Sequence, residues 1–194
     1  MGVVTPYQVI VGPADLYLGD YGATEPADTA VNSTPASSAW DPLGSTQDGT
    51  TLNVEQSFYT VSVDQINDPV GSVPTSRAVK VQTNLAEATL ENLQYALNDG
   101  ATIGSGSGYR SLEPEADGDE MHPTYKALLV HGYAPADADG TSRRRMIIVR
   151  KVLNVDNVGV PYKKDGTTVV PVTLLGHYVS SSTKPYKIID EVSA

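Results

Sequence analysis

Cysteine is absent from the 194 residues of this chain. Neither a disulfide nor a thiolate-ligated metal site can therefore stabilise the fold. Long apolar runs are absent too, since no uncharged stretch approaches the roughly 18 residues that a membrane-spanning helix requires. The N-terminus lacks a basic segment leading into an apolar run, which is the pattern of a secretory signal. The sequence therefore predicts neither a membrane span nor a cleaved signal.

Basic residues are few. Lysine and arginine number 13 against 23 aspartate and glutamate residues, which gives a net charge of −10. Such a chain repels the phosphates of nucleic acid, so specific nucleic-acid binding is disfavoured. The one basic cluster lacks the interleaved aromatic side chains of a nucleic-acid patch. We expect this cluster to pair with carboxylates of its own chain or of a neighbouring subunit, and the inter-subunit candidates are Arg143, Arg144 and Arg145.

The aromatic residues are unevenly distributed, with one Phe and one Trp against 11 Tyr, alongside 17 Gly and 13 Pro. Tyrosine and turn-forming residues at these levels favour many short strands. Residues 61–64 and 79–82 alternate between apolar and polar side chains, as in sheets with one dry and one wet face. We predict a single mainly β domain over residues 1–194, a β-sandwich or partial barrel of about seven to nine strands.

One amphipathic helix is predicted, over residues 84–97. Asn84 is suited to cap its N-terminus, with Glu87 three residues later to complete a weak capping box. Gly100 is suited to the left-handed conformation that ends a helix. Helical spacing places four apolar residues on one face, which should lie against the sheet. These residues are Ala86, Leu90, Leu93 and Leu97.

Two long segments carry no strand signal. Residues 20–39 are rich in Ala, Thr, Ser and Pro, and residues 102–120 combine a Gly-Ser run with an acidic run. Loops of this length are unusual in a compact domain and are often functional. We therefore predict two long loops at these positions, together with flexible termini.

No catalytic or metal-binding motif is complete. The glycine-rich run at 104–108 lacks the Lys-Ser/Thr of a phosphate-binding loop, and residues 137–140 lack the later Glu of a calcium loop. The histidines at 122, 131 and 177 have no metal-ligand spacing, and no nucleophile elbow exists. We predict no enzyme activity, no metal and no cofactor. A hydrolase on an all-β scaffold is kept as an alternative, because catalytic triads assemble in space.

An ordered set of short motifs lies between residues 43 and 97. A tight-turn signal at Asp48-Gly49 opens an extended run over 50–64, with V-D-Q at 63–65 and D-P-V at 68–70. A second strand follows at 76–83, and then A-E-x-T-L-x-N-L at 86–93. In this order the motifs resemble the major tail tube proteins of long-tailed, siphovirus-like bacteriophages. The rest of the chain shares only the outline of that family.

The resemblance implies a tail-tube fold, in which the sheets of six subunits join edge to edge into a ring barrel. Such hexameric rings stack into the hollow tail tube through which the genome is ejected. The implied partners are further copies of the chain, the tape measure protein, the tail terminator and the distal tail proteins. DNA would pass through without specific binding. The protein would be made in the host cytoplasm and reside in the virion.

The tube interpretation assigns roles to two sets of residues. An acidic inner wall would repel DNA and let it slide, although Lys80 opposes this picture if its side chain points inward. The candidates for the lumen are Glu55, Asp64, Asn67 and Asp68. The loop at 20–39 would contact the next ring, and the ring-stacking candidates are Asp20, Thr24, Glu25, Asp28, Asn32, Thr34 and Pro35.

Two other assemblies fit the same composition. One is a different β-rich virion or surface module, such as a capsid decoration protein or an adhesin domain. The other is the tube protein of type VI secretion systems, which shares the architecture in outline but typically lacks the V-D-Q and D-P-V arrangement. We therefore rank both below the phage tail tube.

Overall fold

A computed structural model of the protein describes residues 5–98, 100–115, 123–137 and 140–193. These residues form ten strands, one α-helix, and two 3-10 turns at Pro6–Gln8 and Asp28–Ala30. The strands are β1 Asp15–Asp20, β2 Asp41–Pro42, β3 Thr46–Val63, β4 Ile66–Leu85, β5 Thr102–Gly106, β6 Tyr109–Glu113, β7 Lys126–Ala134, β8 Arg143–Asn154, β9 Val170–Gly176 and β10 Tyr186–Asp190. The predicted mainly β class is confirmed.

Eight strands form one antiparallel sheet in the order β2-β1-β7-β8-β9-β4-β3, with β10 beside β8. The strand β8 changes neighbour along its length, because residues 145–149 pair with β10 and residues 152–154 pair with β9. Since the order begins at β2 and ends at β3, the sheet within the described residues is open and does not close into a barrel. The strands β5 and β6 form a separate hairpin.

Both faces of the central strands β7 and β8 are buried. Side chains alternate across a strand, so Leu128 and Val130 lie on one side of β7 while Ala127 and Leu129 lie on the other. The first side packs against apolar residues of β1, β4, β9 and the helix. The second side packs against residues that precede β2. The core therefore has two layers, one on each side of the same strands.

Residues 21–40, which we name the cover segment, form the second layer. Trp40 is 2% exposed, and its indole Nε1 donates a hydrogen bond to the carbonyl of Thr24 at 3.0 Å. Val31 is buried, and its carbonyl oxygen lies 2.8 Å from Nε2 of His131 in β7. The structure describes this segment in full and finds no strand in it, as predicted. The predicted loop is nevertheless part of the core.

The helix α1 spans Leu90–Leu97, so it begins later than the predicted residue 84. Asn84 belongs to β4 and pairs with β9. The N-cap is Thr89, whose Oγ1 accepts a hydrogen bond from a backbone N–H of the first turn at 3.2 Å. The predicted capping box is therefore wrong, since sheet pairing holds Asn84 in an extended conformation. In the described part of the chain, no helix is long and apolar enough to cross a bilayer.

The buried face of α1 also differs from the prediction, which placed Ala86, Leu90, Leu93 and Leu97 against the sheet. The first of these precedes the helix, and Leu97 is 45% exposed. Leu93 does pack against the core. The buried residues of α1 are Asn92 and Ala96. Burial of the Asn92 amide is compensated, because its Nδ2 donates to the carbonyls of Leu43 at 3.0 Å and of residue 87 at 2.8 Å.

The predicted loop at 102–120 is wrong over its first part, where β5 and β6 form a hairpin. Gly108, at φ +85°, supplies the left-handed conformation that the connecting turn needs. The hairpin is tied to α1, because Arg110 pairs with Glu91 at 2.5 Å and Gln94 donates to the carbonyl of Ala101 at 2.7 Å. The second part of this loop and the extreme termini, residues 1–4, 116–122 and 194, lie outside the described residues.

The Asp48-Gly49 pair lies inside β3 and does not form the predicted turn. Both residues have positive φ, 63° and 79°, and the pairing register shifts between Gln47 and Thr50. These are the marks of a β-bulge, in which one strand carries extra residues. The chain therefore passes through this position without reversing direction.

The hairpin of β3 and β4 extends far beyond the rest of the sheet. The strand β4 pairs with β9 only over residues 79–85, whereas its pairing with β3 continues to Val63 and Ile66. We name residues 55–78 the arm, and the remainder of the large sheet with its two layers the body. Every arm residue except Val61 and Ala78 is exposed. The arm is a two-stranded ribbon with a length of roughly 30 Å.

We predict that Trp40→Ala lowers the free energy of unfolding by about 3–5 kcal/mol, because it opens a cavity in the second core layer. Urea denaturation would measure this loss. The matched control is Tyr178→Ala, since Tyr178 is 72% exposed. That control should stay within about 0.5 kcal/mol of the wild type. Equal effects of the two substitutions would contradict the role of the cover segment in the core.

Candidate assembly surfaces

Where the arm joins the body, the ladder of β3 and β4 has a dry face and a wet face. Val79 and Val81 are buried on the dry face, with 2% and 1% exposure. On the wet face, Lys80 Nζ lies 3.1 Å from a carboxylate oxygen of Glu55 in the neighbouring strand. The predicted alternation at 79–82 is therefore confirmed. Lys80 lies on the side opposite the core, and Glu55 neutralises its charge.

In the arm, the side of β3 that carries Glu55 becomes apolar. At both register shifts inside the arm the extra residues belong to β4, so the alternation of β3 is unbroken. In the pairing, Tyr59 is opposite Val73 and Val63 is opposite Ile66. These four side chains are 64%, 54%, 40% and 52% exposed in that order. Together with Val61 they make the apolar arm face, which nothing in the described chain covers.

The end of the arm is acidic. Asp64 lies in the two-residue turn that joins β3 to β4. Asp68 lies in residues 67–70, which have no paired residue in β3. Within the described residues, neither carboxylate has a hydrogen bond or an ion pair. We name these two residues the acidic tip.

The four lumen candidates do not form one cluster. Asp64, Asn67 and Asp68 lie at the end of the arm, whereas Glu55 lies where the arm meets the body. Glu55 and Asp64 are separated by roughly 30 Å along an extended strand. An acidic wall would therefore consist of the acidic tip alone, because Lys80 balances the charge of Glu55. Whether any of these residues faces a lumen stays a prediction.

The ring-stacking candidates are mostly engaged inside the chain. Three carboxylates of residues 20–28 form ion pairs with the body, Asp20 with Lys126 at 2.7 Å, Glu25 with Arg150 at 2.5 Å and Asp28 with Lys187 at 2.5 Å. The amide of Asn32 lies 3.5 Å from Glu191, the carbonyl of Thr24 binds Trp40, Thr34 is exposed and Pro35 is buried. These contacts fix the cover segment on the sheet. A role in ring stacking stays a prediction.

The basic cluster at the start of β8 also has partners within the chain. Arg143 contacts Asp137 and lies 3.5 Å from a carboxylate oxygen of Glu191. Arg145 pairs with Asp190 through two hydrogen bonds of 2.6 Å. The hydrogen bond from Arg145 lowers the pKa of the Asp190 carboxyl. Of the two expected kinds of partner, the structure thus supplies the intrachain one for Arg143 and Arg145.

The third arginine of the cluster is engaged differently. The guanidinium of Arg144 lies 4.5 Å from the ring centre of Tyr133, which is a cation–π contact. Its backbone N–H donates to a carboxylate oxygen of Glu191 at 3.0 Å. Inter-subunit ion pairs of the three arginines stay a prediction.

Two adjacent lysines stand apart from this pattern. Apart from Lys163, Lys164 and Lys184, every Lys and Arg side chain contacts a carboxylate or an aromatic ring. The two lysines are exposed in the loop between β8 and β9, and Tyr162 beside them is 88% exposed. We name residues 162–164 the basic turn. Its charges have no partner in the described chain.

The base of this loop is fixed. Val158 and Val160 pack against the first core layer. Thr168 Oγ1 donates a hydrogen bond to the carbonyl of Pro161 at 2.9 Å. The basic turn is therefore held at a defined place on the body.

The two described histidines have separate surroundings. His131 is buried beneath the cover segment, where it contacts Val31. His177 packs edge to face on Tyr125 at 5.2 Å between ring centres, and its buried Nε2 has no hydrogen-bond partner among the described residues. Lys151 is nearby, with Nζ 4.1 Å from the centre of the Tyr125 ring. Burial, and then the charge of Lys151, lower the pKa of His177. His122 lies outside the described residues.

A cleft of about 180 Å³ lies between α1 and the large sheet, and Tyr95, Lys126 and Asn154 contribute to its lining. The ammonium of Lys126 lies 5.4 Å from the ring centre of Tyr95 and binds Asp20, so its charge is engaged. Across residues 5–98, 100–115, 123–137 and 140–193, no group of three His, Cys, Asp or Glu side chains could hold a metal ion.

Sequence reasoning missed the apolar arm face and the basic turn. The predicted dry face at Val61 and Val63 is wrong, since both residues lie on the uncovered apolar arm face, where Val63 is 40% exposed. From the sequence, none of Tyr59, Ile66 and Val73 is assigned to that face. The predicted strand over 50–64 ends within the V-D-Q motif, and in the structure residues 64–65 form the turn of a long hairpin. Lys163 and Lys164 have no distinguishing signal in the sequence, and their lack of partners among the described residues is visible only when every other contact is known.

The described geometry thus contains two uncovered surfaces, the arm and the basic turn. Comparison with known proteins identifies no relative, since no family model matches the chain and no curated protein is similar to it. The functional interpretation therefore depends on these surfaces and on the motif order of residues 43–97.

We predict that His177 makes folding stability depend on pH. Since its pKa in the folded protein is lowered from the ordinary 6.5, the unfolded chain takes up this proton first and stability falls as the pH drops below that value. His177→Phe keeps an aromatic ring against Tyr125 but cannot be protonated. Urea denaturation at about pH 7.5 and about pH 5 should show a smaller loss of stability in this variant than in the wild type. An equal loss in both proteins would contradict the prediction.

Proposed function

We propose that this protein is a structural subunit without enzymatic activity, which self-assembles into hexameric rings that stack into the hollow tail tube of a bacteriophage. The observation that carries the proposal is the arm, a two-stranded ribbon with an apolar face that the described chain leaves uncovered. The motif order of residues 43–97, which resembles major tail tube proteins, covers the arm, the parts of β3 and β4 that join it to the body, and α1.

The arm is physically incomplete in a single copy. A two-stranded ribbon is at best marginally stable in water, because too little of its apolar surface is buried. Within the described residues, both edges of the arm also leave backbone N–H and C=O groups without strand partners. A neighbouring copy can satisfy the edge groups by pairing with a strand and can bury the apolar arm face. Self-assembly therefore supplies what the isolated chain lacks.

The outer edge of β3 is the strand edge best suited to joining subunits. It runs over Thr46–Val63 and forms one end of the large sheet, whereas the opposite end, β2, consists of Asp41–Pro42. Natural proteins keep exposed edge strands short unless another chain covers them. A long exposed edge at one end thus favours pairing of the sheet with the next subunit.

The size and charge of the proposed tube suit the passage of DNA. Six subunits that each add four strands give about 24 strands, and at 4.8 Å spacing and about 45° tilt the barrel is roughly 50 Å across. Inward side chains leave a channel of roughly 40 Å, which is wider than duplex DNA. The net charge of −10 per subunit disfavours binding of phosphate to the assembly as a whole. The protein would reside in the virion, beside the tape measure protein, the tail terminator and the distal tail proteins.

The test is the state of the purified protein over a range of concentrations, measured by sedimentation velocity and negative-stain microscopy. Rings or tubes are expected. Discrete trimers would instead favour a capsid decoration or adhesin module. A monomer at every concentration would overturn the proposal.

A charge introduced on either face of the arm should show which of the two faces is needed for assembly. Val73→Lys places a charge on the apolar arm face, and we expect the concentration needed for assembly to rise at least about tenfold, because a buried valine contributes roughly 1.5–3 kcal/mol. Ser72→Lys is the matched control, since it adds the same charge one residue earlier on the other face. Light scattering against concentration measures both. Equal effects would show that the apolar arm face has no special role.

A further inference from the structure

We propose that copies of this protein bind head to tail, with the acidic tip of one copy on the basic turn of the next. The inference depends on the self-assembly proposed above and names the residues of one contact in it. Its first support is position. The second is the charge and exposure of the two surfaces.

The acidic tip and the basic turn lie at opposite ends of one strand ladder. The strand β4 runs from Ile66, beside the tip, to Leu85 in the body. In the antiparallel pairing of β4 with β9, Val170 is opposite Leu85. The loop that carries the basic turn leads directly into Val170, and its residues 159–161 lie against Asn84. The basic turn therefore belongs to the Leu85 end of the ladder.

The length of this ladder prevents the two surfaces from meeting within one chain. From Ile66 to Leu85 an extended strand spans roughly 60 Å. The pairing with β3 keeps β4 extended over this distance. Contact between the acidic tip and the basic turn therefore requires a second copy. This copy is displaced in the direction of the ladder by about the length of the ladder.

The two surfaces have the same layout with opposite charge. The acidic tip carries two free carboxylates, Asp64 and Asp68, beside the exposed side chain of Ile66. The basic turn carries two free ammonium groups, Lys163 and Lys164, beside the exposed ring of Tyr162. Docking would join the charges and bury the tyrosine ring against apolar arm residues. Complementary charges of this kind chiefly orient partners and exclude wrong ones.

Other occupants of the basic turn fit less well. Asp165 follows Lys164, but no ion pair joins it to either lysine. The carboxylates of Asp20, Glu25 and Asp28 are already paired with the body, so the cover segment of another copy offers less free charge. Nucleic acid is disfavoured by the net charge of −10. The acidic tip of a second copy offers free carboxylates together with apolar surface.

A tip-to-turn contact uses different surfaces on the two partners. Such a heterologous contact leaves a free tip at one end of a pair and a free turn at the other. Further copies can therefore be added until the array closes into a ring, or without limit in a filament. A two-copy complex would not be the end point.

Charge reversal on each side tests the contact. The tip variant carries Asp64→Lys and Asp68→Lys, and the turn variant carries Lys163→Asp and Lys164→Asp. Like charges then face each other in every tip-to-turn contact of a single variant. We expect each variant alone to need at least about a tenfold higher concentration to assemble. All four positions are exposed, so circular dichroism and the urea midpoint should remain those of the wild type.

An equimolar mixture of the two variants is the decisive measurement. The lysine tip of one variant then meets the aspartate turn of the other, and the native tip of the second meets the native turn of the first. Assembly should return in the mixture, with alternating copies, and also in the protein that carries all four substitutions. Sedimentation velocity and electron microscopy report both.

Three results would overturn the inference, and they can be told apart. In two of them the wild type forms tubes or rings, but the variants also assemble equally well or the mixture stays dissociated. Self-assembly then stands and the tip-to-turn contact fails. If the wild type itself never assembles, the proposed function fails and the contact fails with it. Added salt should weaken assembly of the wild type, since free ions screen exposed charges beyond about 10 Å at 0.1 M.

Discussion

Burial of β7 and β8 on both faces is the constraint on which the rest of the structure depends. One face is covered by β4, β9 and α1, and the other by the cover segment with Trp40. Because both layers come from the same chain, the body has no large apolar surface left to cover at its centre. The arm has no such cover. The molecule therefore combines a body whose apolar core is covered with an arm whose apolar face is not.

The same contrast holds for charge. On the body, the arginines at the start of β8 and the carboxylates of the cover segment are joined in ion pairs within the chain. Exposed pairs of this kind contribute little to stability one by one, but they leave few charges for another molecule to use. The acidic tip and the basic turn carry unpaired charges at the two ends of the longest ladder of the chain. Location and charge together are the grounds on which we propose that a second copy binds there.

Much of the fold could be predicted from the sequence, because alternation of apolar residues directly reports a sheet face. The errors arose where pairing between distant strands overrides a local signal. Asn84 has the chemistry of a helix cap, yet the ladder with β9 holds it in a strand. Pro69 and Pro74 are typical of breaks, but both lie within β4, where Pro69 falls among the unpaired residues 67–70 and Pro74 is opposite Phe58 beside a register shift. The sequence cannot show that the ammonium groups of the basic turn lack partners, since this depends on which carboxylates the other basic side chains engage.

The extra residues of the arm all lie on β4, one near Thr75 and the others at 67–70. A ribbon whose two strands differ in length must curve, and bulges also increase its right-handed twist. The extra residues on β4 therefore favour a bend of the arm in the same sense in every copy. An array built from such arms would turn by a constant angle at each step, so a few surplus residues in a single hairpin would set its radius.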